Sequence, residues 1–267
     1  MKKRLISSLA LALGVAFVAA PGAIAADLTD VGFLDQATIG SMPQFVNANG
    51  ALAQYKQQLD AQFNDAIKNA KSDADKQAIT LKFQQQFADK QRELVGPIYT
   101  RAQYAIASVA GGKKLSIVVD KRIVVYGGTD ITKDVQALIE SNQAVNPPSA
   151  SPAPSSIGYV DQQALQGSSK VKSASDDFQK FAEDTRKQFA AQAAAAKSDA
   201  DKQKIAADFN KTLQAKQEQL LKPLLDASKA ATASVAKQKN LLLVVDHADV
   251  VYGGTDITSD VQNALNK

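Results

Sequence analysis

Apolar or small residues recur at steps of three and four along Phe45, Ala48, Leu52, Tyr55, Leu59, Phe63, Ile67 and Ala70. That spacing draws one stripe along a helix and predicts a helical arm from about Phe45 to Lys71, roughly 40 Å long at 1.5 Å per residue. A polar tip, Lys71-Ser-Asp-Ala-Asp-Lys76, follows, and Ser72 or Asp73 is suited to cap a returning helix. The return carries Ile79, Phe83, Phe87, Leu94, Ile98 and Val109 on the same kind of stripe. Pro97 falls inside it, where a proline removes one hydrogen bond and predicts a kink. Short β-prone runs flank this hairpin: Val31–Asp35 before it, then Leu115–Asp120 and Ile123–Tyr126 after it. A short helix closes the pattern, with Thr132 as its expected N-cap, Asp130 as the alternative, and Asp134 in its first turn.

The whole pattern then occurs again. A shift of 126 residues lays Val124-Val-Tyr-Gly-Gly-Thr-Asp-Ile-Thr132 on Val250-Val-Tyr-Gly-Gly-Thr-Asp-Ile-Thr258. The same shift lays Lys71–Gln77 on Lys197–Gln203 and Val31–Gln36 on Ile157–Gln162. One offset for three blocks means two copies of one domain of about 110 residues, with no insertion. The second copy has its own strands at Ile157–Asp161, Leu241–Asp246 and Asp249–Tyr252, its own tip with Ser198 or Asp199, its own Pro223 and its own Thr258 cap. Its stripe reads Val171, Ala174, Phe178, Phe181, Thr185, Phe189, Ala193 and Ala196, then Ile205, Phe209, Leu213, Leu220, Leu224 and Val235. The fold class is therefore α+β: two repeats, each a small β body with a protruding long α-helical hairpin and a short C-terminal helix. Residues 26–141 form repeat 1, 142–156 a linker rich in Pro, Ser and Ala, and 157–267 repeat 2. The linker can extend up to about 45 Å at 3.1 Å per residue.

Residues 1–25 stand outside this pattern. Lys2, Lys3 and Arg4 precede an apolar run to Ala20, and Ala23-Ile24-Ala25 is a small-residue cleavage signal, so export with cleavage near Ala25 is expected. No later stretch is apolar enough to span a bilayer, and the chain has no cysteine to carry a lipid or a disulfide.

Charge narrows the function classes. The chain has 31 Lys+Arg against 27 Asp+Glu, and three of the basic residues lie in the leader. What remains is within about one charge of neutral, which gives no support to a nucleic-acid or anionic-lipid surface. Lys113, Lys114, Lys121 and Arg122 make a local basic cluster, best read as solvated loop charges. The one histidine, His247, has Lys121 as its counterpart and is expected in a turn after a strand; no cofactor, metal or catalytic residue is assigned. Asp35/Asp161 and Asp120/Asp246 recur in both copies, but carboxylates at strand ends are usually turn formers, and no nucleophile and base recur together. Gly127-Gly128 lacks the Lys-Ser/Thr of a phosphate loop and is read as a turn.

The order of elements, the leader, the Leu-x-x-Pro at 94–97 and 220–223, and the runs Ile-Val-Val-Asp120, Val-Val-Tyr126 and Asp-Ile-Thr-Lys-Asp-Val135 with their second copies resemble the Skp/OmpH family of periplasmic chaperones. The resemblance covers both repeats, the hairpins by pattern rather than by residue. It implies a β body in which three subunits join their strands, with helical arms that enclose an unfolded outer-membrane protein. It therefore implies an ATP-independent periplasmic holdase, not an enzyme, whose partners are unfolded outer-membrane or envelope proteins and further copies of itself. If each body needs three domains, three chains would give two bodies. Phe63, Phe83, Phe87, Phe189 and Phe209 are the candidate client-contacting residues, against the plainer reading that they hold the arm helices together. The chain departs from the family pattern by carrying two domains and by its near-neutral charge. A structural envelope scaffold or spacer that oligomerises through the same fold is the alternative.

Overall fold

The structure, a computed structural model, describes residues 29–141, 143–148 and 151–266. The leader expected at residues 1–25 lies outside the described residues. The chain forms two compact units, one of Asp27–Pro154 with Asp249–Gly253, the other of Ser155–Ala248 with Gly254–Lys267.

In the first unit β1 (Val31–Leu34) lies parallel to β2 (Ile117–Asp120), in register from Val31 opposite Ile117 to Leu34 opposite Asp120. Parallel neighbours cannot be joined by a tight turn, so the chain must make a long crossover between them. That crossover is the arm: α1 (Gln36–Gly40), α2 (Pro43–Asn69), α3 (Asp73–Leu94) and α4 (Gly96–Gly112). A two-residue strand, β3 (Thr129–Asp130), adds parallel to the other side of β1, and α5 (Thr132–Glu140) closes the unit. The second unit repeats this with β4 (Ile157–Val160), α6 (Gln162–Leu165), α7 (Ser169–Ala195), α8 (Asp199–Gln238), β5 (Leu243–Asp246), β7 (Thr255–Asp256) and α9 (Thr258–Asn266). Here β4 is central, parallel to both β5 and β7.

The repeated Thr-Asp-Ile-Thr sequence knots each unit together. Asp130 accepts the Thr132 amide at 2.9 Å and Asp256 the Thr258 amide at 2.8 Å, so the aspartates serve the helix starts. The expected threonine caps are corrected by this: the Thr132 and Thr258 hydroxyls each accept an amide from the end of the first strand, Asp35 N–H and Asp161 N–H, both at 3.0 Å. Ile131 and Ile257 between them are fully buried. Around them the first core gathers Leu34, Ile39, Phe45, Ala105, Val118, Val135 and Ile139. The second gathers Val160, Leu165, Val235, Leu241, Val261 and Leu265.

The two prolines act differently. In the first unit α3 ends at Leu94 and α4 begins at Gly96, with Pro97 in its first turn. In the second, α8 runs unbroken through Pro223. The residue before each proline differs, Gly96 against Lys222, and glycine loses more freedom in a helix interior than lysine does.

The third expected strand forms in only one copy. The segment β6 (Val250–Gly253) pairs antiparallel with β2, giving the first unit the order β3-β1-β2-β6. Ile117 faces Gly253, Val118 faces Tyr252 and Val119 faces Val250, with a register shift between Val118 and Val119. The corresponding expectation for Ile123–Tyr126 is overturned. Lys121–Ile123 is a 3-10 turn, and Val125 and Tyr126 are 100% and 98% exposed, outside any strand. A strand exists only as a partner in a ladder, and among the described residues this segment joins none.

Gly253 is required for the pairing that does form. Its φ is +68°, and a Cβ there would stand 2.1 Å from the Ser116 carbonyl oxygen. Gly253→Ala should therefore push β6 off β2. The expected outcome is faster amide hydrogen exchange at Ile117–Val119, at least tenfold, while β4 and β5 keep their protection.

Candidate functional site

Each arm is two helices deep. At the tip Ser72 Oγ accepts the Asp75 amide at 3.0 Å, and Ser198 Oγ accepts the Asp201 amide at 3.1 Å, so the serine choice of cap holds in both copies. Among the described residues no third layer covers them, and the arm helices bury little. Along α2 only Phe45 and Leu59 are buried, and along α3 nothing is. Along α7 the buried residues are Val171, Ala174, Phe178 and Thr185, and those of α8 all lie beyond Pro223. The distal third of each arm is thus an apolar seam half in water.

The five candidate phenylalanines lie on that seam, and all are half-buried. Phe63 and Phe83 meet edge to face across the first arm, with ring centroids 5.4 Å apart and planes at 69°. Phe189 and Phe209 do the same across the second, at 5.6 Å and 64°. Phe87 stands one turn from Phe83 on α3. Each ring pair holds two helices together and leaves part of both rings toward solvent. Beside Phe189 and Phe209 a cleft of about 230 Å³ opens between α7 and α8, lined also by Ala190, Ala193, Ile205 and Ala206, with Arg186 and Lys202. The alanines that shorten this stripe are what make room for it. Lysine stems cover the aromatics nearer the base: Lys90 Nζ lies 5.9 Å from the Tyr55 ring centroid and Lys216 Nζ 5.5 Å from that of Phe181.

Two further apolar side chains escaped the stripe reading. Leu81 on α3 is 67% exposed and Val46 on α2 is 54% exposed. Leu81 is two residues from both Ile79 and Phe83, which turns it to the opposite face of the helix from the seam. Only its being apolar on a polar face could have flagged it.

The repeated carboxylates are local structure. Asp35 caps α1 by accepting the Thr38 amide at 3.1 Å, and Asp161 caps α6 by accepting the Gln163 and Ala164 amides. Asp120 accepts the Arg122 amide at 2.8 Å and Asp246 the Ala248 amide at 2.9 Å. The basic cluster is largely paired: Lys113 with Asp134, Lys121 with Asp35, and Arg122 with Asp120 and Asp249. The Asp120 pair raises the Arg122 guanidinium above its usual value. His247 starts the 3-10 turn after β5, its ring 5.1 Å from that of Tyr159, as a turn residue should. Burial, then Asp256, pushes the Tyr159 hydroxyl up. Among the described residues no group of three His, Cys, Asp or Glu side chains could hold a metal ion.

A family model described as "Outer membrane protein (OmpH-like)" matches residues 36–139 and 192–265, well over half of the chain. The chain belongs to the OmpH-like family. The first match runs from α1 through α5 and takes in the whole first arm; the second runs from the last residues of α7 through α8 into α9, and so takes in the returning helix of the second arm but only the end of its first helix. No curated protein and no solved structure matches the chain. The OmpH-like family is a non-enzymatic, periplasmic family of chaperone type that binds outer-membrane proteins. No helix among the described residues is long and apolar enough to cross a membrane.

Two outcomes follow from this geometry. Phe63→Ala should loosen the first arm by about 1–2 kcal/mol, because the ring is half-buried and an aromatic pair contributes about 0.5–1.5 kcal/mol beyond its area. Hydrogen exchange should rise from about Leu59 to Phe87 and stay unchanged in β1 and β2. The second concerns pH. The Thr38 amide, aided by Lys121, holds the Asp35 carboxyl below its ordinary 3.8. A depressed carboxylate stabilises the fold above the ordinary value, and that stabilisation is lost as pH falls through the folded-state value. Asp35→Asn should flatten the stability profile on the acid side of 3.8 and leave its shape above neutrality unchanged in a thermal melt series.

Proposed function

We propose that the chain is an ATP-independent periplasmic holdase that binds unfolded outer-membrane or envelope proteins and keeps them from aggregating. Its leader is cleaved near Ala25, residues 26–141 and 157–267 are its two Skp/OmpH-like domains, and residues 142–156 link them. It inserts in no membrane, binds no nucleic acid and associates with copies of itself. The observation that carries the reading is the apolar seam at the end of each arm. Side chains that two helices cannot cover are held half in water, next to a tip capped for stability rather than for chemistry. Holding an unfolded chain lowers its free concentration and needs no nucleotide. The five phenylalanines are its client-contacting residues: Phe63 with Phe83 and Phe189 with Phe209 present the parts of their rings that the pairing leaves open, and Phe87 extends the first pair by one turn. The second arm, with its cleft and shorter side chains, grips differently from the first.

A second reading, an envelope scaffold or spacer, draws on the ring pairs themselves, which already satisfy each other across the arms. Light scattering separates the two. A urea-unfolded outer-membrane barrel protein is diluted into buffer with and without the chain. Suppression at near-stoichiometric ratios is expected, with at least a twofold loss when Phe63, Phe83 and Phe87 are changed together to Ser. No suppression by the unaltered chain, with the barrel protein's own aggregation behaving normally, would sink the holdase reading in favour of the scaffold.

A further inference from the structure

The tips of the two arms share their sequence, but the stretch just below them does not, and its differences gather on one cleft. Ala190, Ala193 and Ala206, which line the cleft between α7 and α8, stand where the first arm has Asn64, Ile67 and Thr80. These shorter side chains leave about 230 Å³ of apolar space against the Phe189–Phe209 ring pair. An apolar cavity of about 150 Å³ is enough to hold a benzene ring, so the space takes one aromatic side chain. The charge at its rim is changed as well. In the first arm Asp60 is neutralised by Lys56 at 2.6 Å. The same two positions in the second arm are Arg186 and Ala182, and among the described residues no carboxylate pairs with Arg186. Lys202 is held at 3.1 Å by Asp199, whose side chain is 93% exposed, and a pair so open to water is weak. Arg186 lies one turn from Phe189 and Ala190 toward the base of the arm, and Lys202 one turn from Ile205 and Ala206 toward the tip. The two cations therefore bracket the cleft.

We infer that this cleft takes an aromatic side chain from an acidic stretch of an unfolded polypeptide, with the ring between α7 and α8 and a neighbouring carboxylate on Arg186 or Lys202. The ring leaves water for an apolar wall and joins two phenylalanine rings already set edge to face. The guanidinium fork of Arg186 matches a carboxylate in shape as well as in charge. An extended chain advances about 3.3 Å per residue, so a carboxylate one or two residues from the ring reaches a cation one helical turn, about 5.4 Å, away. A lysine in its place would meet like charge at both ends of the cleft. The first arm, with Asp60 where Arg186 stands, does not share this preference. The inference rests on the holdase reading and gives its second arm a class of client segment.

The test uses three labelled, end-blocked Gly-Ser peptides that carry Glu-Phe-Glu, Glu-Ala-Glu or Lys-Phe-Lys at the centre, titrated with the full chain and followed by fluorescence anisotropy. The Glu-Phe-Glu peptide is expected to bind about tenfold more tightly than either of the others. Arg186→Asp, which gives α7 the residue that α2 has there, should remove most of its advantage over Lys-Phe-Lys. Ala193→Ile, which restores the first arm's side chain and fills the cleft, should weaken Glu-Phe-Glu by about fivefold and leave Glu-Ala-Glu unchanged. Equal affinity for the three peptides, or a preference that neither variant alters, would overturn the cleft assignment, while suppression of barrel-protein aggregation by the unaltered chain would still uphold the holdase reading. Absence of that suppression sinks the holdase reading and the assignment of the cleft to a held chain with it. Displacement of the Glu-Phe-Glu peptide by laurate at concentrations below the peptide's own Kd would give the cleft to an alkyl carboxylate and also overturn the proposal.

Discussion

The parallel pairing of the first strand of each unit with the strand that follows the arm is the constraint on which the rest depends. Because β1 and β2 run the same way, the chain has to leave the end of β1, travel, and return to the start of β2 from the same side as before. A compact domain would make this trip with one helix. Here the trip is made by a hairpin far longer than the sheet is wide, and β4, α7, α8 and β5 do the same. The body can be small because its strands are only four residues long and are locked by the Thr-Asp-Ile-Thr knot, whose aspartate serves one helix and whose threonine serves the exit from the first strand. The arm is then free of any packing duty toward the body beyond its base.

That freedom produces the half-exposed apolar seam of each arm. Two helices alone can enclose a line of contact but not a core, so aromatic side chains at the distal end are shared between the seam and the solvent. The difference between the arms comes from the same physics at another scale. Gly96 before Pro97 lets the first arm break into two helices, whereas Lys222 before Pro223 leaves a single forty-residue helix. Alanines on the second stripe leave a cleft where the first has larger side chains.

The strand at 250–253 shows how a duplication can differentiate without changing sequence. Two identical segments have identical intrinsic preferences, but a ladder has room for one strand on each edge. Once Val250–Gly253 occupies β2, its twin beside that same sheet has no edge there to use.

The elements that were legible in the sequence are those determined by neighbours a few residues away. The arm helices follow from their steps of three and four, the tips from Ser72 and Ser198, the glycine pairs from their need for positive φ, and the turns from Asp35, Asp120, Asp161 and Asp246. Family membership was legible for the same reason, since it rests on local runs repeated in order. The structure alone decided what depends on a distant partner. That Thr132 braces Asp35 rather than capping its own helix depends on a contact 97 residues away. That Phe63 meets Phe83 depends on how two helices rotate about each other. That Val250–Gly253 is a strand and Val124–Gly127 is not could not be read from residues they share. A helix satisfies its hydrogen bonds within itself, so its sequence suffices to announce it, whereas a strand is defined by whatever lies beside it.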